Sequence, residues 1–316
     1  MTILFLYHYP CADGVFSALA AYLSYRDFLD KCRFVAHTTY GGAHQSQELL
    51  DSMNPEDKVY LLDFIGEGDF PKRVSEKVSG LVILDHHKTA IEYVDSWRES
   101  RENKKLPENV EAVMDINRSG ATIALDYFTP IATEDVRKKF FYVEDNDLWR
   151  HQLPNSKAFS HGLFCLKMEY DYRKNPLIFG SLMSLNFAQL VSDGTRLLEE
   201  RDKKIASLLS QCKTIQLTDV NGVNYKCYSA DVTGAELISA LGEELAKRSA
   251  GAGLAPLGAV CFWTDNKEEV RVSLRSSDKD FDTTKISKHY KGGGHAPASG
   301  FVVSDKIFNQ FVEAAQ

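Results

Sequence analysis

Six side chains able to bind a cation or move a proton fall at or just beyond the ends of apolar runs in the first ninety residues. His8 closes ILFLYH, and Asp13 follows after a short polar turn containing Cys11. Asp63 interrupts VYLLDFI. Asp85, His86 and His87 close LVILDHH. Imidazole and carboxylate together suit Mn²⁺, Mg²⁺, Zn²⁺ or Fe²⁺. A pair of such ions bridged by one carboxylate is the equipment for metal-assisted hydrolysis of a phosphate ester. Each residue alone has a plainer explanation. An Asp after a strand often caps a helix or a turn, Asp13-Gly14 fits that role, and a lone His8 fits a hydrogen-bonded core position. Asp63 and the Asp85-His86-His87 run resist that account, because charges inside a buried run need compensation.

For these groups to meet, the runs that carry them must be neighbouring strands of one sheet. Ile3–His8, Cys32–Thr38, Lys58–Ile65 and Gly80–Asp85 read as strands, with Ala112–Asp115 a further one. Val15–Tyr25, Gln45–Met53, Phe70–Val78, Ser119–Phe128 and Glu134–Tyr142 read as helices. Continuous apolar strands alternating with helices imply a parallel sheet covered on both faces. In such sheets ligands bind beyond the carboxyl ends of the strands, where these residues lie. Residues 150–190 read as helical in pieces and Asp193–Cys212 as one long amphipathic helix. Beyond it, strands at Lys213–Leu217, Tyr225–Ser229, Leu257–Trp263 and Glu269–Leu274 flank a helix at Ala235–Arg248. The expected architecture is α/β throughout: a parallel-sheet domain over 1–190, a linker helix over 191–212 and a smaller α/β domain over 213–316.

Composition bounds the function. The 316 residues are enough for two domains at roughly 100–200 residues each. A net charge of −7 argues against a long groove for duplex DNA, which needs many cations to release counterions. Six scattered cysteines form no CxxC pair, which points to a reducing compartment. No secretion signal and no apolar run of roughly 18–20 residues is legible, so a cytoplasmic protein without membrane contact is expected. There is no GxSxG, P-loop or GxGxxG to anchor a serine-hydrolase, NTP or NAD reading.

The motifs YHYPCADG (7–14), LLDF (61–64), ILDHHKTA (83–90), RSGAT (118–122), VEDNDLW (143–149), VSLRS (272–276) and GGGHAPASGF (292–301) occur in that order along the chain. In this the sequence resembles the DHH phosphoesterases that carry a C-terminal DHHA1 domain. That family includes RecJ-type exonucleases, nano-RNases, phosphatases of 3′-phosphoadenosine 5′-phosphate, cyclic-dinucleotide phosphodiesterases and family II pyrophosphatases. The resemblance implies one or two Mn²⁺ (or Mg²⁺) ions held by His8, Asp13, Asp63, Asp85, His86 and a carboxylate of the EDND segment. Asp145 is the better match there and Asp147 the reserve. Asp63 would bridge the ions, and His87, with Asp85, would act at the scissile phosphate. Arg275, His295 and the glycine loop Gly292, Gly293 and Gly294 match substrate-facing positions. The resemblance also admits a homodimer.

One departure concerns the first motif, which is one residue shorter than the commoner H-x-x-x-D-x-D and has Cys11 in place of its first aspartate; it resembles a C-x-D-G subfamily. Cys11 would be a thiolate ligand, or water would complete the first site, or one site would be weak or empty; a small buried turn residue is the plainer account. Arg118 and Ser119 precede an apolar helix. Ser119 reads as its cap, and both residues as a phosphate contact at a helix N-terminus. Lys285, Lys288, Lys291, His289 and His295 form a basic stretch without acids that is either a solvated face or a phosphate contact. The expected activity is a metal-dependent phosphodiesterase or exonuclease acting on short oligonucleotides or dinucleotides. The alternatives are a small-molecule phosphatase (3′-phosphoadenosine 5′-phosphate or polyphosphate) and a catalytically lapsed nucleotide-binding regulator.

Overall fold

In a computed structural model, which describes residues 1–38, 43–263 and 268–315, the chain forms two compact units, 1–197 and 198–316. The first opens as β1 (Ile3–His8), α1 (Ala12–Ser24), β2 (Cys32–His37), α2 (Ala43–Ser52), β3 (Lys58–Leu62), α3 (Phe70–Lys77), β4 (Gly80–Asp85), α4 (Lys88–Glu99) and β5 (Val110–Met114). It continues as α5 (Gly120–Phe128), α6 (Glu134–Asp147), α7 (Ser156–Cys165), α8 (Ile178–Ser184) and α9 (Phe187–Ser210), and the division between the units falls inside α9.

The five strands make one parallel sheet in the order β2-β1-β3-β4-β5. Side chains alternate between its faces, and both faces are buried. Phe5, Tyr7, Tyr60, Leu62, Val82 and Leu84 pack with α1, α5 and α6 on one side. Leu4, Leu6, Val59, Leu61, Leu81 and Ile83 pack with α2, α3 and α4 on the other. The strand order reverses between β1 and β3, and the crevice at such a switch point is where open α/β sheets bind ligands.

Among the boundaries that differ from those expected, three lie at the site. β3 stops at Leu62, and Asp63 takes a left-handed backbone with φ of 63°. α1 starts at Ala12, before its apolar stripe, so Asp13 lies in its first helical turn. α6 runs on to Asp147 rather than ending at Tyr142.

The second unit contains β6 (Lys213–Thr218), β7 (Asn224–Val232), α10 (Ile238–Gly251), β8 (Leu257–Trp263), β9 (Glu269–Ser276), α11 (Thr284–His289), β10 (Gly293–His295), β11 (Ala298–Ser304) and α12 (Asp305–Glu313). Its strands form a mixed sheet in the order β10-β11-β9-β8-β7-β6, parallel only between β7 and β8. One face packs on Ile286, Phe308 and Phe311. The other packs on Leu241 and Leu245 of α10 and Ile205 of α9. The six cysteines are free thiols. No helix among the described residues is long and apolar enough to cross a membrane.

Candidate metal centre

The three adjacent strands β1, β3 and β4 deliver polar side chains at their carboxyl ends. His8 Nδ1 lies 3.2 Å from Asp63 Oδ2. Asp63 Oδ1 lies 3.3 Å from His86 Nε2 and 3.8 Å from His87 Nδ1. His86 Nε2 is also 3.6 Å from Asp13 Oδ2 and 3.5 Å from Asp147 Oδ2. Three overlapping groups result: Asp63, Asp85, His86 and His87; His8, Cys11 and Asp63; and Asp13, His86 and Asp147. Within each, the potential ligand atoms are no more than 4.8 Å apart.

Backbone geometry fixes these side chains. The left-handed turn at Asp63 is uncommon for a non-glycine residue, and its N–H still donates to Leu84 O at 2.9 Å. Asp85 Oδ1 accepts from the N–H of His86 (2.6 Å) and of His87 (2.9 Å) and faces His87 Nδ1 at 2.7 Å. Asp13 accepts from Gly120 N–H at 2.7 Å and Ala121 N–H at 2.9 Å, so it fills the amino end of α5. Gly120 permits this approach. A Cβ there would sit 2.6 Å from Asp63 Cβ and 2.8 Å from Asp63 Oδ1. Gly14 plays a similar part, since a Cβ would lie 2.2 Å from His8 O.

The electrostatics are unbalanced in a way that a cation would relieve. Burial, reinforced by the charges of Asp63 and Asp147, pushes the Asp13 carboxyl well above the usual range. Burial and the charge of Asp63 likewise raise Asp147. At Asp63 burial works upward, but the hydrogen bond with His8 and the His86 imidazole 3.3 Å away outweigh it and hold the carboxyl well below its ordinary value. The hydrogen bond to Asp85 raises His87 to about 9 against the effect of burial. Asp63 Oδ1, Asp85 Oδ2 and His86 Nε2 are buried with no hydrogen-bond partner, a costly arrangement unless a further group binds there. Nitrogen and oxygen donors with unshared acceptor atoms fit a divalent cation.

Cys11 caps the start of α1, with its sulfur in one group with His8 and Asp63. Burial pushes its thiol upward, as do the charges of Asp63 and Asp13.

Two assignments need correction. Asp145 does not reach the cluster: its carboxylate accepts from Gln152 N–H at 2.9 Å and Leu153 N–H at 3.3 Å and ties down the chain after α6. Two residues along a helix rotate a side chain by about 200°, so Asp147 takes the place in the cluster. Its register was legible, since Val136, Phe140 and Val143 of α6 are buried and the same 4-3-4 spacing ends at Asp147. Ser119 and Arg118 are not placed to hold a phosphate. Ser119 is fully buried, and its hydroxyl caps α5 by accepting from Thr122 N–H. The amides beyond it are occupied by Asp13. Arg118 is held by Glu144 at 3.1 Å and Asp126 at 2.9 Å.

In the second unit, ladder pairing aligns His295 with Ala298 and Ala298 with Arg275. Directly paired residues share a face, so His295 and Arg275 stand in one row two strands apart, about 10 Å at the usual strand spacing. Arg275 donates to Ser239 Oγ at 3.1 Å, and burial lowers its guanidinium. His295, Gly293 and Gly294 are exposed. Gly294 adopts φ of 141°, open to glycine and to few others.

Comparison with known proteins agrees with this architecture. Residues 224–316 match the model of the DHHA1 domain. The chain is 23% identical over 309 residues to protein R106 of Acanthamoeba polyphaga mimivirus, covering 95% of this chain and 67% of that one. It is 24% identical over 332 residues to the oligoribonuclease NrnB of Bacillus subtilis, covering 98% of this chain and 75% of the relative. The fold is similar to that of the pGpG-specific phosphodiesterase PggH of Vibrio cholerae, with a TM-score of 0.50, 11% identity and coverage of 100% and 99% of the two chains.

Proposed function

We propose that this chain, which belongs to the DHH/DHHA1 phosphoesterase family, is a metal-dependent phosphodiesterase that hydrolyses short oligonucleotides or dinucleotides. The observation that carries the reading is the meeting of buried, unpartnered Asp63, Asp85 and His86 atoms at one point on the sheet edge. His8, Asp13, Asp63, Asp85, His86 and Asp147 would hold one or two divalent ions, Mn²⁺ or Mg²⁺, with Cys11 as a further donor. Bound there, the ions supply neutralising charge at phosphorus and a water acidic enough to attack at neutral pH.

The protein's own groups do the rest. Asp63 faces His8 on one side and His86 on the other, which supports it as the ligand that two ions would share. Asp85 orients His87 through the 2.7 Å contact to Nδ1, and the His87 side chain is 45% exposed. This orientation and exposure support a role for His87 in meeting charge that grows on a phosphoryl or leaving oxygen. In the DHHA1 unit, Arg275, His295 and the glycine loop would bind a terminal phosphate or nucleotide, which selects short substrates. The net charge of −7 favours the same class over long duplexes.

The test is an assay of purified protein with Mn²⁺ on labelled di- to pentanucleotides, beside 3′-phosphoadenosine 5′-phosphate and polyphosphate, with Asp85→Ala as control. The proposal expects cleavage of the short oligonucleotides, abolished in the variant. Hydrolysis of only the other two substrates, or equal rates for both proteins, would reject it.

A further inference from the structure

A cavity of about 450 Å³ opens beside the metal centre, lined wholly by residues of the first unit. Its volume falls in the range that encloses small ligands. Cys11, Asp13 and Asp147 belong both to its wall and to the cation-binding groups, so whatever fills it adjoins the reacting phosphate. Part of the remaining wall is apolar and includes Met168 and the ring of Phe164. Phe164 is 75% exposed. An aromatic ring left uncovered at the mouth of a cavity is a surface on which a flat ligand can stack.

The polar groups of the wall narrow the ligand further. The side chains of Asn146 and Ser160 line the cavity without a hydrogen-bond partner among the described residues. Lys167 is the one basic residue in the lining, makes no ion pair with a described residue, and holds a left-handed backbone with φ of 48°. A run of phosphates would call for several cations on this wall, and Asp13 and Asp147 supply the opposite charge. A flat heterocycle with hydrogen-bonding edges, attached to a single phosphate, matches the wall better.

We propose that this cavity receives one nucleoside of the substrate, with its base on Phe164, its polar edge at Asn146 and Ser160, and Lys167 beside the adjoining phosphate. This inference deepens the phosphodiesterase reading above and rests on it. It assigns recognition of one nucleoside to the catalytic unit itself.

The test uses the full chain, Phe164→Ala and Phe164→Trp. One measurement is the affinity for a methylphosphonate-linked diadenosine, which resists hydrolysis, by calorimetry in the presence of Mn²⁺. The other is the KM for pApA and for two analogues, each lacking one base. Stacking of a base on an aromatic ring predicts an affinity loss of about tenfold in Phe164→Ala and recovery in Phe164→Trp. The KM should rise in parallel for pApA and for one of the two abasic analogues, and stay unchanged for the other. Equal affinities for wild type and Phe164→Ala, or equal losses on all three substrates, overturn the assignment. If the wild type cleaves no oligonucleotide and Phe164→Ala still binds the diadenosine more weakly, the subsite stands and the phosphodiesterase reading falls. If oligonucleotides are cleaved with rates and KM values indifferent to Phe164, the phosphodiesterase reading stands and the subsite falls.

Discussion

Gly120 is where the fold and the candidate metal centre press most closely on each other, so Gly120→Ala is the most informative small change. Helix propensity alone favours alanine over glycine by up to about 1 kcal/mol. The surroundings oppose it. The new methyl would sit 2.6 Å from Asp63 Cβ, against ~3.5 Å for a carbon–carbon contact, so about 0.9 Å must be found. α5 cannot simply retreat. Its first amides are held by Asp13 at 2.7 and 2.9 Å, and Ser119 N–H by Glu144 at 3.0 Å. Asp63 is held in turn by its left-handed backbone and by His8. Overpacking of this kind costs roughly 1–3 kcal/mol, and a displacement of about 1 Å at reacting groups costs on the order of 10²-fold in rate. Calorimetric titration with Mn²⁺, thermal unfolding and turnover of a short oligonucleotide read the three effects. The expected result is a folded protein with a slightly lowered Tm, weaker Mn²⁺ binding and about 10²-fold lower turnover. Gly180→Ala serves as control, because a Cβ there meets nothing within 4 Å. Wild-type Mn²⁺ affinity in Gly120→Ala would refute the reasoning.

Two further outcomes follow from the same geometry. Asp147→Asn should weaken Mn²⁺ binding at least tenfold with little change in Tm, whereas Asp145→Asn should lower Tm and leave affinity nearly intact; calorimetry and thermal unfolding on both variants check this, and the reverse pattern would restore Asp145 as the ligand. Glu144→Gln should destabilise the first unit by about 1.5–3 kcal/mol, because the 11%-exposed carboxylate accepts from Ser119 N–H, Arg118 and Thr122. Despite burial, those hydrogen bonds hold the Glu144 carboxyl below its usual range. Its stabilisation is therefore present above the unfolded value of about 4.3 and lost as pH falls through the lower folded value. Urea unfolding of both proteins should show the gap between them closing in acid, and a gap independent of pH would contradict this origin.

The sheet was legible wherever local pattern decides structure. Gly80–Asp85 is a strand with the expected ends, because its apolar run is buried on both faces and closes on three titratable residues. Asp63 was legible as a charge with no local excuse. What escaped was set by distant contacts. Asp13 is drawn into α1 by amides 107 and 108 residues away, which no local spacing reveals. Arg118 and Ser119 carried a phosphate-site signature, yet the protein's own carboxylates, Asp13 and Glu144, occupy those donors. The choice between Asp145 and Asp147 turned on how far α6 runs: the spacing of Val136, Phe140 and Val143 points on to Asp147 only if the helix continues past Tyr142, and its acidic end carries no apolar residue to show that it does. The short β10 strand and its glycines are positioned by pairing with β11 rather than by propensity.

The central claim is that cations bind where His8, Asp63, Asp85, His86 and Asp147 converge. Crystals grown with Mn²⁺ and measured at an energy where manganese scatters anomalously test it most directly. One or two anomalous peaks at coordination distance from Asp63, with His8 or His86 as co-ligands, are the predicted result. A well-ordered cluster with no anomalous density, its carboxylates and imidazoles bonded only to one another, would contradict the account.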